Sequence, residues 1–144
     1  GGTASGLASQ SAFGAVLGAS IGMLQCVVLR RLISRAGFWV LATAAGMGLG
    51  FALISAVTLQ ASAALGGGPL YGLVNGVLVG TLVGAMQWLV IRSQISRAGW
   101  WVFASALGAG VGFALDQVAG QLVGIALSGT ALVWLLRRLD PGTG

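Results

Sequence analysis

No histidine and no lysine occur anywhere in this chain of 144 residues, and only two residues are acidic. Each absence removes a class of chemistry. Without lysine there is no Schiff base and no phosphate-binding P-loop. Without histidine there is no imidazole general base and no common axial ligand for haem. Cys26 is the sole cysteine, so an intrachain disulfide is excluded. Charge is scarce too, at 6% of residues, where a soluble domain of this size carries roughly 25%. So few charges could not cover a water-exposed surface. Intrinsic disorder is equally excluded, because disordered chains are poor in apolar residues.

What is present points to lipid. Apolar residues make up 57% of the chain, and the mean hydropathy is +0.99. The composition predicts an integral membrane protein. The formal charge of +5 and the pI of about 11.6 come from seven basic residues, all arginine. In a soluble protein that excess would suggest nucleic acid. Here the arginines interrupt apolar runs, and no nucleic-acid partner is expected. No short basic region precedes the first apolar run, so no cleavable signal peptide is expected.

At about 20 residues per span, the runs predict spans over about 11–29, 38–59, 71–91, 100–115 and 118–136. The stretch "QASAALGGGPL" reads as a loop before the third span, with Pro69 suited to a helix start. Five spans put Arg30, Arg31, Arg35, Arg92, Arg97, Arg137 and Arg138 all on one side of the membrane. The positive-inside rule makes that side cytoplasmic. The chain is then expected in a bacterial inner (cytoplasmic) membrane, N-terminus outside and C-terminus cytoplasmic. Asp116 falls at the outer edge and Asp140 inside.

The chain also repeats itself. At an offset of 62 positions, Gly14, Gly18, Gly22, Gln25 and Arg30 fall on Gly76, Gly80, Gly84, Gln87 and Arg92. "ISRAG" recurs at Ile33 and Ile95, and Trp39, Gly46 and Gly50 fall on Trp101, Gly108 and Gly112. "GQLVGIALSGTALVWLLRR" is a third, partial copy, with Gly120, Gly124, Ser128 and Ala131 in the places of Gly76, Gly80, Gly84 and Gln87. Each full unit is a hairpin with its basic turn inside, so both copies insert the same way. The predicted fold is an all-α integral membrane protein with five transmembrane helices. It is built as two parallel helical-hairpin repeats (about 11–59 and 71–117) plus a half repeat (about 118–138), all in one transmembrane domain over 1–144.

The recurring pattern GxxxGxxxGxxQ(W)xxxR, followed by SRAG(W/F)W, resembles a family of uncharacterised bacterial polytopic membrane proteins. The resemblance runs from about Gly14 to Arg138. It implies a membrane fold and carries no activity with it.

Gly14, Gly18, Gly22 and Gln25 fall within about one quarter of the helix circumference, as do Gly76, Gly80, Gly84 and Gln87. The other helix type carries Ala42, Gly46 and Gly50, matched by Ala104, Gly108 and Gly112. Stripes of small residues let helix backbones approach closely in lipid, and helix packing is their expected role. A glycine-lined pore is the alternative. An unpaired amide in hydrocarbon costs several kcal/mol, so Gln25 and Gln87 must find partners. They are expected to bond each other across the pseudo-axis, or Thr43 and Ser105, with spans one and three packed closely. The alternative is a ligand or pigment contact. "GMGLG" and "GAGVG" sit inside apolar spans with no preceding strand and are not nucleotide fingerprints. Trp39, Trp100, Trp101 and Trp134 are expected in an aromatic belt at the basic edge. The arginines set topology and suit lipid headgroups. Cys26 stands where the second repeat has Trp88 and is expected to pack.

No catalytic constellation and no metal site is legible, so an enzyme is not expected. No cofactor is expected beyond bound lipid. The leading expectation is a structural or assembly protein. It would be an accessory subunit of a larger respiratory or photosynthetic membrane complex, or a self-associating bundle whose partners are lipids, other subunits or its own copies. The alternative is a small channel or transporter lined by Gln25, Gln87, Asn75, Thr43 and Ser105.

Overall fold

A computed structural model describes residues 2–31, 35–66, 68–95, 97–115, 129–130 and 134. These residues form four long helices: α1 (Gly2–Leu29), α2 (Ala36–Leu65), α3 (Pro69–Ile91) and α4 (Gly99–Leu115). Ala4–Leu29, Ala36–Val57 and Pro69–Ile91 are long and apolar enough to cross a membrane, whereas α4 is a shorter apolar helix of 17 residues. The chain is thus an all-helical protein with three helices compatible with membrane spans. The fifth expected span, with Asp116, Arg137, Arg138 and Asp140, lies outside the described residues apart from helical Gly129, Thr130 and Trp134.

The helices overrun their expected bounds. The first begins at Gly2 rather than Ser11, because Ala, Ser and Leu continue a helix at little cost. For the same reason α2 runs on to Leu65 and absorbs most of the stretch read as a loop. What stops it is Gly66, at φ +69°, a left-handed conformation that closes helix ends. Pro69 then opens α3 in the first turn, where its missing N–H leaves no bond unmade.

Close packing among the described helices joins only neighbours in sequence: α1 with α2, α2 with α3, and α3 with α4. The expectation that spans one and three pack together is overturned. Helix α2 lies between them, because its Gly46 and Gly50 admit the α3 backbone at Val83 and Val79. The units therefore follow one another in a row, each pair of neighbours antiparallel. This brings both basic turns to one end of the molecule, where Arg30, Arg31, Arg35, Arg92 and Arg97 are all exposed.

The buried apolar cluster sits at that same end: Leu29, Trp39, Ile91, Ile95, Ala98 and Trp101, with Trp88 packed against it. Elsewhere the outward faces carry large apolar side chains, among them Phe13, Val16, Leu24, Val28, Leu41 and Phe103. Such a surface suits hydrocarbon.

Candidate functional site

The glycine stripes of α1 and α3 face α2 and α4 in matching fashion. A Cβ built on Gly18 would strike the Thr43 carbonyl oxygen, and one on Gly80 the Ser105 carbonyl oxygen. Gly14 and Gly76 stand in the same relation to the carbonyl oxygens of Met47 and Ala109. Gly22 and Gly84 lie against the Cα atoms of Val40 and Val102. Every one of these partners is 62 positions from its counterpart, so the two hairpins repeat their contacts residue for residue. Contacts this close suit Cα–H···O bonds, which recur where helices meet. Gly46 and Gly50 take a different neighbour, α3. Gly108 and Gly112 are buried, while Ala42 and Ala104 are half-buried.

One turn beyond each stripe lies the glutamine. The indole Nε1 of Trp39 donates to Oε1 of Gln25 at 2.8 Å, and Nε1 of Trp101 donates to Oε1 of Gln87 at 2.8 Å. Gln87 also donates from Nε2 to Oγ1 of Thr43 at 2.9 Å, which links the second hairpin to the first. The Thr43 hydroxyl in turn donates to the Trp39 carbonyl, one turn back, at 2.8 Å. The Trp39 and Trp101 rings meet at 5.5 Å between centroids with a 55° tilt. A chain of bonds thus runs from Gln87 through Thr43 to the backbone of Trp39, whose indole holds Gln25.

Burial is deep. Trp39 is 0% exposed, Trp101 and Thr43 1%, and Gln87 2%. This corrects the expectation of an aromatic belt for two of the tryptophans. Trp100 at 62% and Trp134 at 51% do face outward. The physical reason is the amide: each glutamine needs a donor inside the bundle, and an indole supplies one while adding apolar bulk. A signal existed in the sequence, since Trp39 and Trp101 each follow their glutamine by 14 positions.

Gln25 and Gln87 do not bond each other among the described residues. Ser105, the counterpart of Thr43, is buried, and its Oγ has no hydrogen-bond partner among the described residues. Asn75 is also buried, but it lies three helical turns from Gln87, roughly 18 Å along α3. At the basic end, Arg92 lies over the Trp88 ring at 5.4 Å, a cation–π contact. The arginines there have no acidic neighbour among the described residues, which contain no acid. No cluster of His, Cys, Asp or Glu fit for a metal occurs among the described residues.

Fold and network together define a helical membrane protein whose repeats are joined through buried amides and indoles. No family model matches the chain, and neither a curated protein nor a solved structure matches it.

Proposed function

We propose that this chain is a non-enzymatic structural or assembly protein of a bacterial inner membrane, acting as an accessory subunit of a larger complex or as a self-associating bundle. One observation carries the reading. The polar side chains of the Gln25–Gln87 network bond to neighbouring helices of the same chain, and the outward faces are apolar up to a rim of arginine. Such a molecule offers lipid and protein partners a surface and offers a substrate no converging chemistry.

The reading includes five spans. The half repeat forms the last, and every arginine lies on the cytoplasmic side. The exposed Arg30, Arg31, Arg35, Arg92 and Arg97 then meet the anionic headgroups of that leaflet. Purification in mild detergent followed by native mass measurement tests the proposal. Copurification with defined membrane subunits, or a stable homo-oligomer with bound lipid that leaves liposomes tight, is the expected result. A pure homo-oligomer that passes ions across liposomes would sink it in favour of the channel reading.

A further inference from the structure

Four arginines hold repeated places at the basic end. Arg30 and Arg92 directly follow α1 and α3, and Arg35 and Arg97 stand just ahead of α2 and α4. Their backbones are bonded alike in the two turns. The Arg30 and Arg92 amides donate to the carbonyls of Cys26 and Trp88 at 2.8 Å, and the carbonyls of Arg35 and Arg97 accept from Phe38 and Trp100 at 3.0 and 3.2 Å. Each arginine is exposed, yet each adjoins a buried residue in the chain: Leu29, Ala36, Ile91 or Ala98. The two turns are also fixed against each other. Leu29 from the first hairpin and Ile91, Ile95 and Ala98 from the second share one apolar cluster with Trp39 and Trp101, whose rings meet at 5.5 Å. Phe38 and Trp100, matched at the offset of 62 and both exposed, mark the depth of the membrane interface at this end.

We propose that these four arginines form one site for a lipid that carries two phosphodiesters on a single headgroup. Arg30 and Arg35 hold one phosphate, and Arg92 and Arg97 hold the other. A guanidinium fork bonds phosphate oxygens in pairs, and basic pockets between spans take headgroups of this class. The two halves sit on a common apolar base, so the spacing between them is set by the fold. Joining both anions in one headgroup makes the second contact intramolecular, which favours this lipid over two separate ones. The halves are not identical. Arg92 is held over the Trp88 ring at 5.4 Å, whereas Cys26 stands in the place of that indole beneath Arg30. The second turn is therefore the better organised half. A lipid seated this way ties hairpin to hairpin at the headgroup level, above the bond between Gln87 and Thr43.

The inference rests on the structural reading above, in which the arginines meet anionic headgroups, and the test separates the two. The full chain in mild detergent is titrated with diphosphatidylglycerol and, separately, with phosphatidylglycerol at equal phosphate, and native mass measurement counts the bound lipids. One diphosphatidyl lipid per chain is expected, half-saturating at a concentration about tenfold or more below that of the single-phosphate lipid. That comparison needs no variant. Arg30→Gln and Arg92→Gln should each weaken the diphosphatidyl lipid about tenfold. Arg31, which falls on Ser93 at the offset of 62, supplies the control. Arg31→Gln removes the same charge and should change binding by about twofold or less. Equal binding of the two lipids, or an equal loss at Arg31→Gln, would overturn the two-phosphate site and leave the arginines as general headgroup contacts. Binding of neither lipid above phosphatidylcholine would overturn those contacts as well. Displacement by an equal concentration of inorganic pyrophosphate would assign the site to a free diphosphate and overturn the lipid.

Discussion

The two glutamines occupy equivalent places in the two hairpins, yet they do not have equivalent surroundings. Gln25 is half-buried and bonds Trp39 alone among the described residues. Gln87 is 2% exposed and bonds both Trp101 and Thr43. Both follow the same glycine stripe and precede the same arginine, so the stripe is not the cause. Position in the row is. Helix α3 has α2 on one side and α4 on the other, whereas among the described helices α1 packs closely on α2 alone. An internal helix satisfies both ends of its amide; an edge helix satisfies one. The bond from indole to glutamine holds a hairpin together, and the bond from glutamine to threonine holds hairpins to each other.

The largest effect is expected at the glycines that carry this architecture. Gly80→Leu would drive a side chain into the Ser105 carbonyl and the Ala109 methyl, with no flexible neighbour to yield. We expect a loss of about 3 kcal/mol or more, read as unfolding of α3 from α4 by thermal denaturation in detergent. Gly18→Leu at the edge hairpin meets the same kind of obstacle at Thr43. It should cost somewhat less, because α1 can move outward. Equal tolerance of leucine at both sites would mean that the glycines do not set the helix spacing.

The next effect separates the two amides. Gln87→Leu strands the Trp101 indole N–H and leaves Thr43 without its donor. It should lower stability by about 2 kcal/mol, against about 1 kcal/mol for Gln25→Leu. Resistance to unfolding by a denaturing detergent gives the ranking. A larger loss at Gln25 would contradict the edge-and-interior contrast.

Thr43→Val removes the link between hairpins together with the Thr43 bond to the Trp39 carbonyl, itself already bonded within the helix, and about 1 kcal/mol is expected. Its distinguishing mark is selectivity. Trp39–Gln25 and Trp101–Gln87 should survive, so the indole N–H resonances should stay shifted as in the parent protein while the Gln87 side-chain amide moves. If both indole signals collapse, Thr43 is holding up the hairpins as well as joining them.

The smallest effect is a control. A Cβ added at Gly37 or Gly99 would meet nothing within 4 Å. Gly37→Ala and Gly99→Ala should each stay within about 1 kcal/mol of the parent in chemical denaturation, on the stabilising side. Gly66 would be a poor control, since its positive φ penalises any side chain whatever the space around it.

Much of the fold was legible beforehand, and the particular residues say why. The membrane class followed from composition, and the hairpin unit from the offset between Gln25 and Gln87. The helix bounds were less legible around residues 60–65, because a helix in lipid stops at glycine and proline and not at the first polar side chain. For the site, Gln25, Gln87 and Thr43 could be picked out as polar residues within apolar runs. Their partners could not. Trp39 and Trp101 read as belt residues, since tryptophan at the end of a span serves either role and only its neighbours decide between them.

Composition and spacing alone therefore determined an all-helical membrane protein, its repeat, its small-residue stripes and the need of two glutamines for partners. Each of these depends on one residue and its near neighbours along the chain: a charge too costly for lipid, a glycine at every fourth place, an amide that must be bonded. The order of the helices was decided only in three dimensions. A repeat is equally compatible with helices one and three meeting about an axis and with hairpins standing in a row. The choice fell to the second face of α2, where Gly46 and Gly50 admit Val83 and Val79 while Thr43 accepts Gln87. Packing of that kind depends on how two surfaces fit, and a linear chain records the surfaces without recording which of them meet.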